Sequence, residues 1–311
     1  MTHSPHFNHQ CVSDLAWVMS SPCLLAQHSA PYVGDKVSDD WCQSVYHQNV
    51  EWLHRLDANP EILQQWLDQR NSPLLGLYFE SLLAFWLQHL PHTELVAQNL
   101  VVGQSDLQLG EFDLLFRDLN LQQLFHWEVT VKFYLRVGKT EFQWLGPNPS
   151  DSLQRKLNKM FDSQLHLSDQ PKAQQVLRHE LGQHQLVPQA FVKGYLFYPY
   201  ESDWRNPAQI SPAVSINHLK GWWCHYSDMP TKLKACPAEN SWLLLPRLQW
   251  LSPVVREHTA EVMDRDELLG CLVDYFSEHY KAVLLVELKA SEQSWSEVSR
   301  GFVMNDMWPH G

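Results

Sequence analysis

The run HWEVTVKFYL, residues 126–135, limits what this chain can fold into more than any other stretch. Successive side chains of a strand point to opposite faces. A strand here therefore sets Trp127, Val129, Val131 and Phe133 on one side and Glu128, Thr130 and Lys132 on the other. The first set requires burial. The second gathers a carboxylate, a hydroxyl and an ammonium on one face, which is either a wet surface or the wall of a site.

The flanking sequence places this strand third in a meander. ELVAQNLVV, LGEFDLLF and LFHWEVTVKFYL read as strands joined by the short polar connections GQSDLQ and RDLNLQQ, which suit antiparallel neighbours. Before them, SPLLGLYFESLLAFWLQHLP is apolar nearly all round and ends at Pro91, the pattern of a buried helix. Glu80 lies in its middle, and an ionised carboxylate there needs a polar cleft, a cation or a proton. After the linker LGPNPS, DSLQRKLNKMFDSQL puts Leu153, Leu157, Met160 and Phe161 on one helical face, and AFVKGYLFYPY reads as a further strand. The predicted order is helix, three strands, helix, strand.

In LGEFDLLF, Glu111 and Asp113 alternate with Phe112, Leu114 and Phe116. If this strand pairs with its successor, Asp113 stands beside Glu128 across the ladder. Adjacent carboxylates repel unless something positive lies between them. Mg²⁺ suits such a place because it takes one or two carboxylates and fills its remaining positions with water and phosphate oxygens.

The regions on either side of this core read differently. Residues 1–73 are predicted helical, with DDWCQSVYHQNVEWLHRL followed by EILQQWLDQR after Asn59-Pro60. Residues 74–200 form the core. From 201 to 311 the chain is richer in Pro and Trp, with strand candidates GWWCHY, SWLLLPRLQWL, AVLLVELKA and SEVSRGFVM and a helix in DELLGCLVDYFSEHY. This part is an α/β extension of the same sheet or a small second lobe packed on the core. Trp222 and Trp223 cannot both point inward from a strand with one covered face, so one of them is expected to touch a lobe, a base or a partner.

A net charge of −12 works against general adhesion to nucleic acid or anionic membrane, so a polyanion must meet a local basic patch. Arg155, Lys156 and Lys159 on the helix after the meander, with Arg136 and Lys139 nearby, are the candidates for docking a backbone phosphate. LAWVMSSPCLLA is too short and too broken to span a bilayer, and the first basic residue is Lys36, which argues for a cytoplasmic protein without membrane contact. The six cysteines contain no CxxC pair, which fits reduced thiols. In HELGQH, His179 and His184 are five apart, about 140° round a helix, where a zinc motif needs four. His3, His6 and His9 would bind metal only loosely. Glu287 and Lys289 share a face of AVLLVELKA, but a helix precedes them where a partner strand is needed, so they read as an ordinary edge strand.

The element order with Glu80, Asp113 and Glu128 resembles the PD-(D/E)XK nuclease superfamily, whose restriction-endonuclease-like core is helix, three-stranded antiparallel meander, helix, strand. More narrowly, LGLYFESLLAFWL, LGEFDLLF, HWEVTVKFYL, WLGPNPSDSLQRKL, KGYLFYP and the closing MWP resemble an uncharacterised bacterial family, domain of unknown function eighteen-fifty-three, over roughly residues 70 to 311. The superfamily resemblance implies Asp113 and Glu128 as ligands of Mg²⁺ or Mn²⁺ and Glu80 as an auxiliary ligand through water. It implies Lys132 as the group that orients or activates the attacking water in phosphodiester hydrolysis. One departure stands out: the superfamily's lysine follows the glutamate by two residues, where this chain has Thr130, and Lys132 is four residues on. At about 3.3 Å per residue this moves the lysine Cα from roughly 7 Å to roughly 13 Å from that of Glu128. The expected function is a Mg²⁺- or Mn²⁺-dependent nuclease on DNA or RNA, or a descendant that binds nucleic acid without cutting. The alternative is a non-enzymatic interaction protein that meets a protein partner through its Trp-rich C-terminal part.

Overall fold

The computed structural model describes residues 7–27, 32, 34–70, 72–103, 109–138, 143–182 and 185–310. Four helices come first: α1 (Gln10–Ser20), α2 (Asp39–Ala58), α3 (Glu61–Asp68) and α4 (Leu75–His89). The meander follows as β1 (Thr93–Val102), β2 (Gly110–Asp118) and β3 (Gln123–Val137), then the short β4 (Gln143–Leu145), α5 (Leu153–Lys159), α6 (Pro171–Leu181) and β5 (Val187–Pro199). The remainder is β6 (Leu219–His225), α7 (Met229–Lys234), β7 (Ser241–Leu244), β8 (Val255–Glu257), α8 (Arg265–Glu278), β9 (Val283–Ala290) and β10 (Ser294–Met304). The result is a mixed α/β fold with a ten-stranded sheet and eight α-helices among the described residues.

The sheet runs β1-β2-β3-β5-β6-β10-β9-β7, with β4 pairing β3 and β8 pairing β10. The meander is antiparallel, β3, β5, β6 and β10 run parallel, and β9 and β7 return antiparallel. It continues without a break across residue 201. Helices α1–α4 cover one face over a core that includes Trp86, Trp127, Phe133, Phe191 and Phe197. On the other face α5 packs on Tyr134 and Leu196, α6 on Leu115, and α7 and α8 on Trp222 and Val303.

A sheet covered on both faces decides one open reading and corrects another. The Glu128 face of β3 is not wet: Glu128 is 0% exposed and Thr130 9%. Trp222 and Trp223 are both buried, one in each layer, because β6 is an inner strand with helices above and below it. Among the described residues, none of the tryptophans after 201 is exposed. Likewise β9 is paired on both sides, by β10 and β7, so Glu287 and Lys289 are not on an edge.

Local chemistry explains the other departures. SWLLLPRLQWL ends as a strand at Leu244, because Pro246 has no N–H to donate and a 3-10 turn follows at Arg247–Gln249. A helix that the sequence reading did not place, α6, starts on Pro171 and stops at Gly182 in the left-handed region. His179 sits exposed near its end beside Glu180, and His184, like His3, His6 and Lys139, lies outside the described residues. His9 instead docks on Asp57, its Nδ1 lying 3.1 Å from the carboxylate. Gly194 of β5, opposite Lys132, has a φ of 141°, and a Cβ there would meet the Lys132 carbonyl at 1.8 Å. Glycine is what lets β5 lie against β3 at that point.

Candidate functional site

The site begins where two strands part. The β2–β3 ladder runs from Asp118↔Gln123 to Leu114↔Trp127 and ends there. The next pair in the same register would be Asp113 with Glu128. β4 pairs with β3 only from Leu135 onward, and β5 occupies the opposite edge throughout from Phe125 to Leu135. Between Trp127 and Leu135 the β2 side of β3 therefore has no strand partner among the described residues. Asp113 fills the first vacant ladder position: its Oδ2 accepts the Val129 N–H at 2.9 Å.

Two hollows open beside this split edge. One, of about 510 Å³, is lined by Glu111, Asp113, Lys159, Ser163 and Gln164 together with Leu77 and Glu80 of α4. The other, of about 410 Å³, takes in Thr130, Lys132 and Asp151 and again Leu77 and Glu80. Leu77 and Glu80 line both, so the two hollows lie on either side of Glu80 and together make up an acidic trench.

The acids are crowded and short of partners. Burial and the nearby charge of Glu128 push Asp113 up to about 7. Burial likewise pushes Glu128 up to about 7, against the opposing pull of Lys156. The two carboxyl groups are close enough for each to act on the other's ionisation. Glu80 is pushed up to about 8 by burial and by Asp113, Glu111 and Glu128, with only an Asn99 hydrogen bond in opposition. Glu128 Oε1 accepts from Gln164, while Oε2 has no hydrogen-bond partner. His126 does not supply one. Its Nε2 is 3.6 Å from Oε2, too long for a hydrogen bond, and burial pushes the imidazole down to about 4, so it is neutral.

The lysine predicted from sequence is not the one that acts most on the pair. Lys132 gives its ammonium to Asp151 at 2.8 Å, and Tyr134 donates to the other oxygen of that carboxylate. The lysines whose charge acts most on Glu128 are Lys156 and Lys159, and Lys156 also acts on Asp113. Lys156 is half-buried, donates to Gln164 Oε1 at 3.3 Å, and is itself lowered, first by burial. Arg155 turns away from the acids and donates to the Ser150 carbonyl. The structure thus brings Asp113, Glu128, Glu80, Lys156 and Lys159 together, and separates Lys132 and Arg155 from the acid pair.

Helical spacing already hinted at this division. Lys156 follows Leu153 by three residues and precedes Met160 by four, which sets its stem beside the apolar face, whereas Arg155 falls on the far side. Gln164 had no such signal. It sits on a π-helical turn, Met160–Gln164, that continues α5 with a shifted phase.

The donor set fits a hard divalent cation only in a particular way. Among the described residues no three His, Cys, Asp or Glu side chains form a ready metal cluster. Two neighbouring carboxyls, one with an unpartnered oxygen, do suit an ion that takes two protein oxygens and leaves its other positions to water and substrate.

An α/β protein with its sheet covered on both faces, and a buried acidic trench at a split strand edge, is the class that these features define. The chain belongs to the family described as a domain of unknown function (DUF1853), which matches residues 13–304. No curated protein and no solved structure matches it. Among the described residues no helix is long and apolar enough to cross a membrane.

Proposed function

We propose that the chain is a Mg²⁺- or Mn²⁺-dependent phosphodiesterase acting on nucleic acid, with a restriction-endonuclease-like core of the PD-(D/E)XK type. The order α4, antiparallel β1–β3, α5, then β5 parallel to β3 supports that core. The observation that carries the reading is the split of β2 from β3, which leaves Asp113 and the fully buried Glu128 at adjacent positions, with Asp113, Glu80 and Gln164 lining the hollow beside them.

Asp113 and Glu128 would hold the cation, with Glu80 reaching it through water. When bound, the ion would polarise a phosphate and lower the pKa of its water. The remaining work falls to residues of the chain. Gln164 fixes the Glu128 carboxylate, and Lys159 lines the trench where a phosphate would lie. Lys156, whose neutral form is favoured by burial, acts on the acid pair where the superfamily resemblance implied Lys132, and can accept a proton from the attacking water.

The test is cleavage of labelled single- and double-stranded DNA and RNA by the full chain with Mn²⁺. Chelation should stop it, and Glu128→Gln or Asp113→Asn should slow it about a hundredfold or more, in line with the loss of one group that stabilises charge in the transition state. Lys156→Met should cost more than Lys132→Met. Cleavage that survives Glu128→Gln would refute the assignment, and Mn²⁺ binding without cleavage of any substrate would mark a non-cutting descendant.

A further inference from the structure

A further hollow, of about 710 Å³, lies apart from the acid trench. It lies at the far end of β3, walled by Arg136, the β4 residues Gln143–Leu145, the first turn of α5 and the segment 209–214. Its volume falls within the range of pockets that enclose small organic ligands, about 300–1,000 Å³.

Its chemistry is unlike that of the chain as a whole. The protein carries 35 acidic residues against 23 lysines and arginines, yet the described residues that line this hollow include two arginines, Arg136 and Arg155, and no acid. The floor is aromatic and apolar. Trp144 is half-buried and packs edge-to-face on Tyr198 at 5.2 Å, so its ring is fixed in place, and Arg136 lies over the same Tyr198 ring at 5.7 Å. Arg155 is exposed and anchored by its bond to the Ser150 carbonyl.

A fixed indole beside guanidinium groups has two attractions to offer at once: a flat π-face for a base and cations for the phosphate attached to it. The position supports the same occupant. The loop 147–152 separates this hollow from the trench, Pro147 and Asp151 facing the trench, Pro149 and Ser152 facing the hollow. Helix α5 likewise sends Lys156 to the acids and Arg155 to the hollow.

We infer that this hollow binds one unpaired nucleotide of a single-stranded nucleic acid, its base against Trp144 and its phosphate at Arg155 and Arg136. The inference extends the nuclease reading by making the substrate single-stranded near the cut. Its test needs no divalent ion and no cleavage, so either idea can fail without the other. A base paired in a duplex keeps its faces stacked on its neighbours and cannot enter a walled hollow, so duplex is excluded on geometric grounds.

The experiment is fluorescence anisotropy of a short fluorescein-labelled oligodeoxyadenylate with the full chain in EDTA, against the same sequence as a duplex. The single strand should bind and the duplex should bind more weakly. Trp144→Ala should weaken the single strand about tenfold or more, and Trp144→Phe should restore most of the loss because a ring is retained. Arg155→Gln changes an exposed residue and leaves folding undisturbed. It should lower affinity and reduce the slope of log affinity against log salt by about 0.7, the signature of one lost phosphate contact on a single strand. Affinity unchanged in Trp144→Ala, a salt slope unchanged in Arg155→Gln, or equal binding of duplex would each overturn the inference.

Discussion

The two halves of the sheet bury carboxylates in opposite ways. In the C-terminal half, Glu297 meets Arg300 through two bonds, Nε to Oε1 at 2.6 Å and Nη2 to Oε2 at 2.8 Å. The same guanidinium also donates to the carbonyls of Trp250, Leu251 and Ser252. Glu287 accepts from Asn240 and from Ser299, each at 2.7 Å, and these bonds, with Lys232, outweigh burial and hold its carboxyl below the usual range. In the meander half, Glu128 keeps an oxygen with no partner, and Asp113 and Glu80 crowd against it. Buried charges normally come with their partners built in, and the trench departs from that rule where the C-terminal half keeps it.

A raised pKa alone does not make this distinction. Asp14 is raised by burial although Ser252, Gln10 and Tyr78 all donate to it, and it ties α1 to α4 and to the segment after β7. What marks the trench is that Asp113 and Glu80 are raised partly by neighbouring acids and line open space, with Glu128, raised by burial, directly behind them.

The largest effect should come from breaking the satisfied half. Arg300→Leu strands Glu297 in the core and should cost about 3–5 kcal/mol in urea unfolding. Glu287→Ala removes the acceptor of two buried donors and should cost about 1–3 kcal/mol at pH 7. Its dependence on pH has a definite sign: the folded pKa is lowered, so the Glu287 contribution is present above the unfolded value of 4.5 and is lost as the pH falls.

The trench should behave in the reverse sense and with a smaller effect. The folded pKa of Glu128 is raised from 4.5 to about 7, so its contribution is intact below 4.5 and is lost as the pH rises through 7. Without divalent ions, Glu128→Gln should leave stability near that of the wild type at pH 4.5 and raise it by about 1 kcal/mol at pH 8. A Glu128→Gln protein destabilised at pH 8 as Glu287→Ala is would remove the contrast between the two halves.

Much of this was legible in the sequence, because period-two alternation and an apolar helix are strong local signals. They placed β1, β2, β3, β5 and α4 and put Asp113 next to Glu128. The trench itself was not legible. It depends on where a ladder stops, and that is set by the Asp113 carboxylate taking the Val129 N–H and by β4 joining β3 only at Leu135. The burial of both Trp222 and Trp223 was hidden for a related reason: a strand in the middle of a sheet with two covered faces loses the alternation that a sequence reading relies on. Gln164 was out of reach, since a π-turn shifts the phase that helical spacing assumes.

Calorimetric titration of Mn²⁺ into the full chain at pH 8 tests the central claim most directly. The account predicts saturable binding of one tightly held ion, with proton uptake or release that depends on Asp113 and Glu128, and loss of that binding in both Asp113→Asn and Glu128→Gln while Glu287→Gln keeps it. No binding at millimolar Mn²⁺, or binding unaltered in both trench variants, would contradict it.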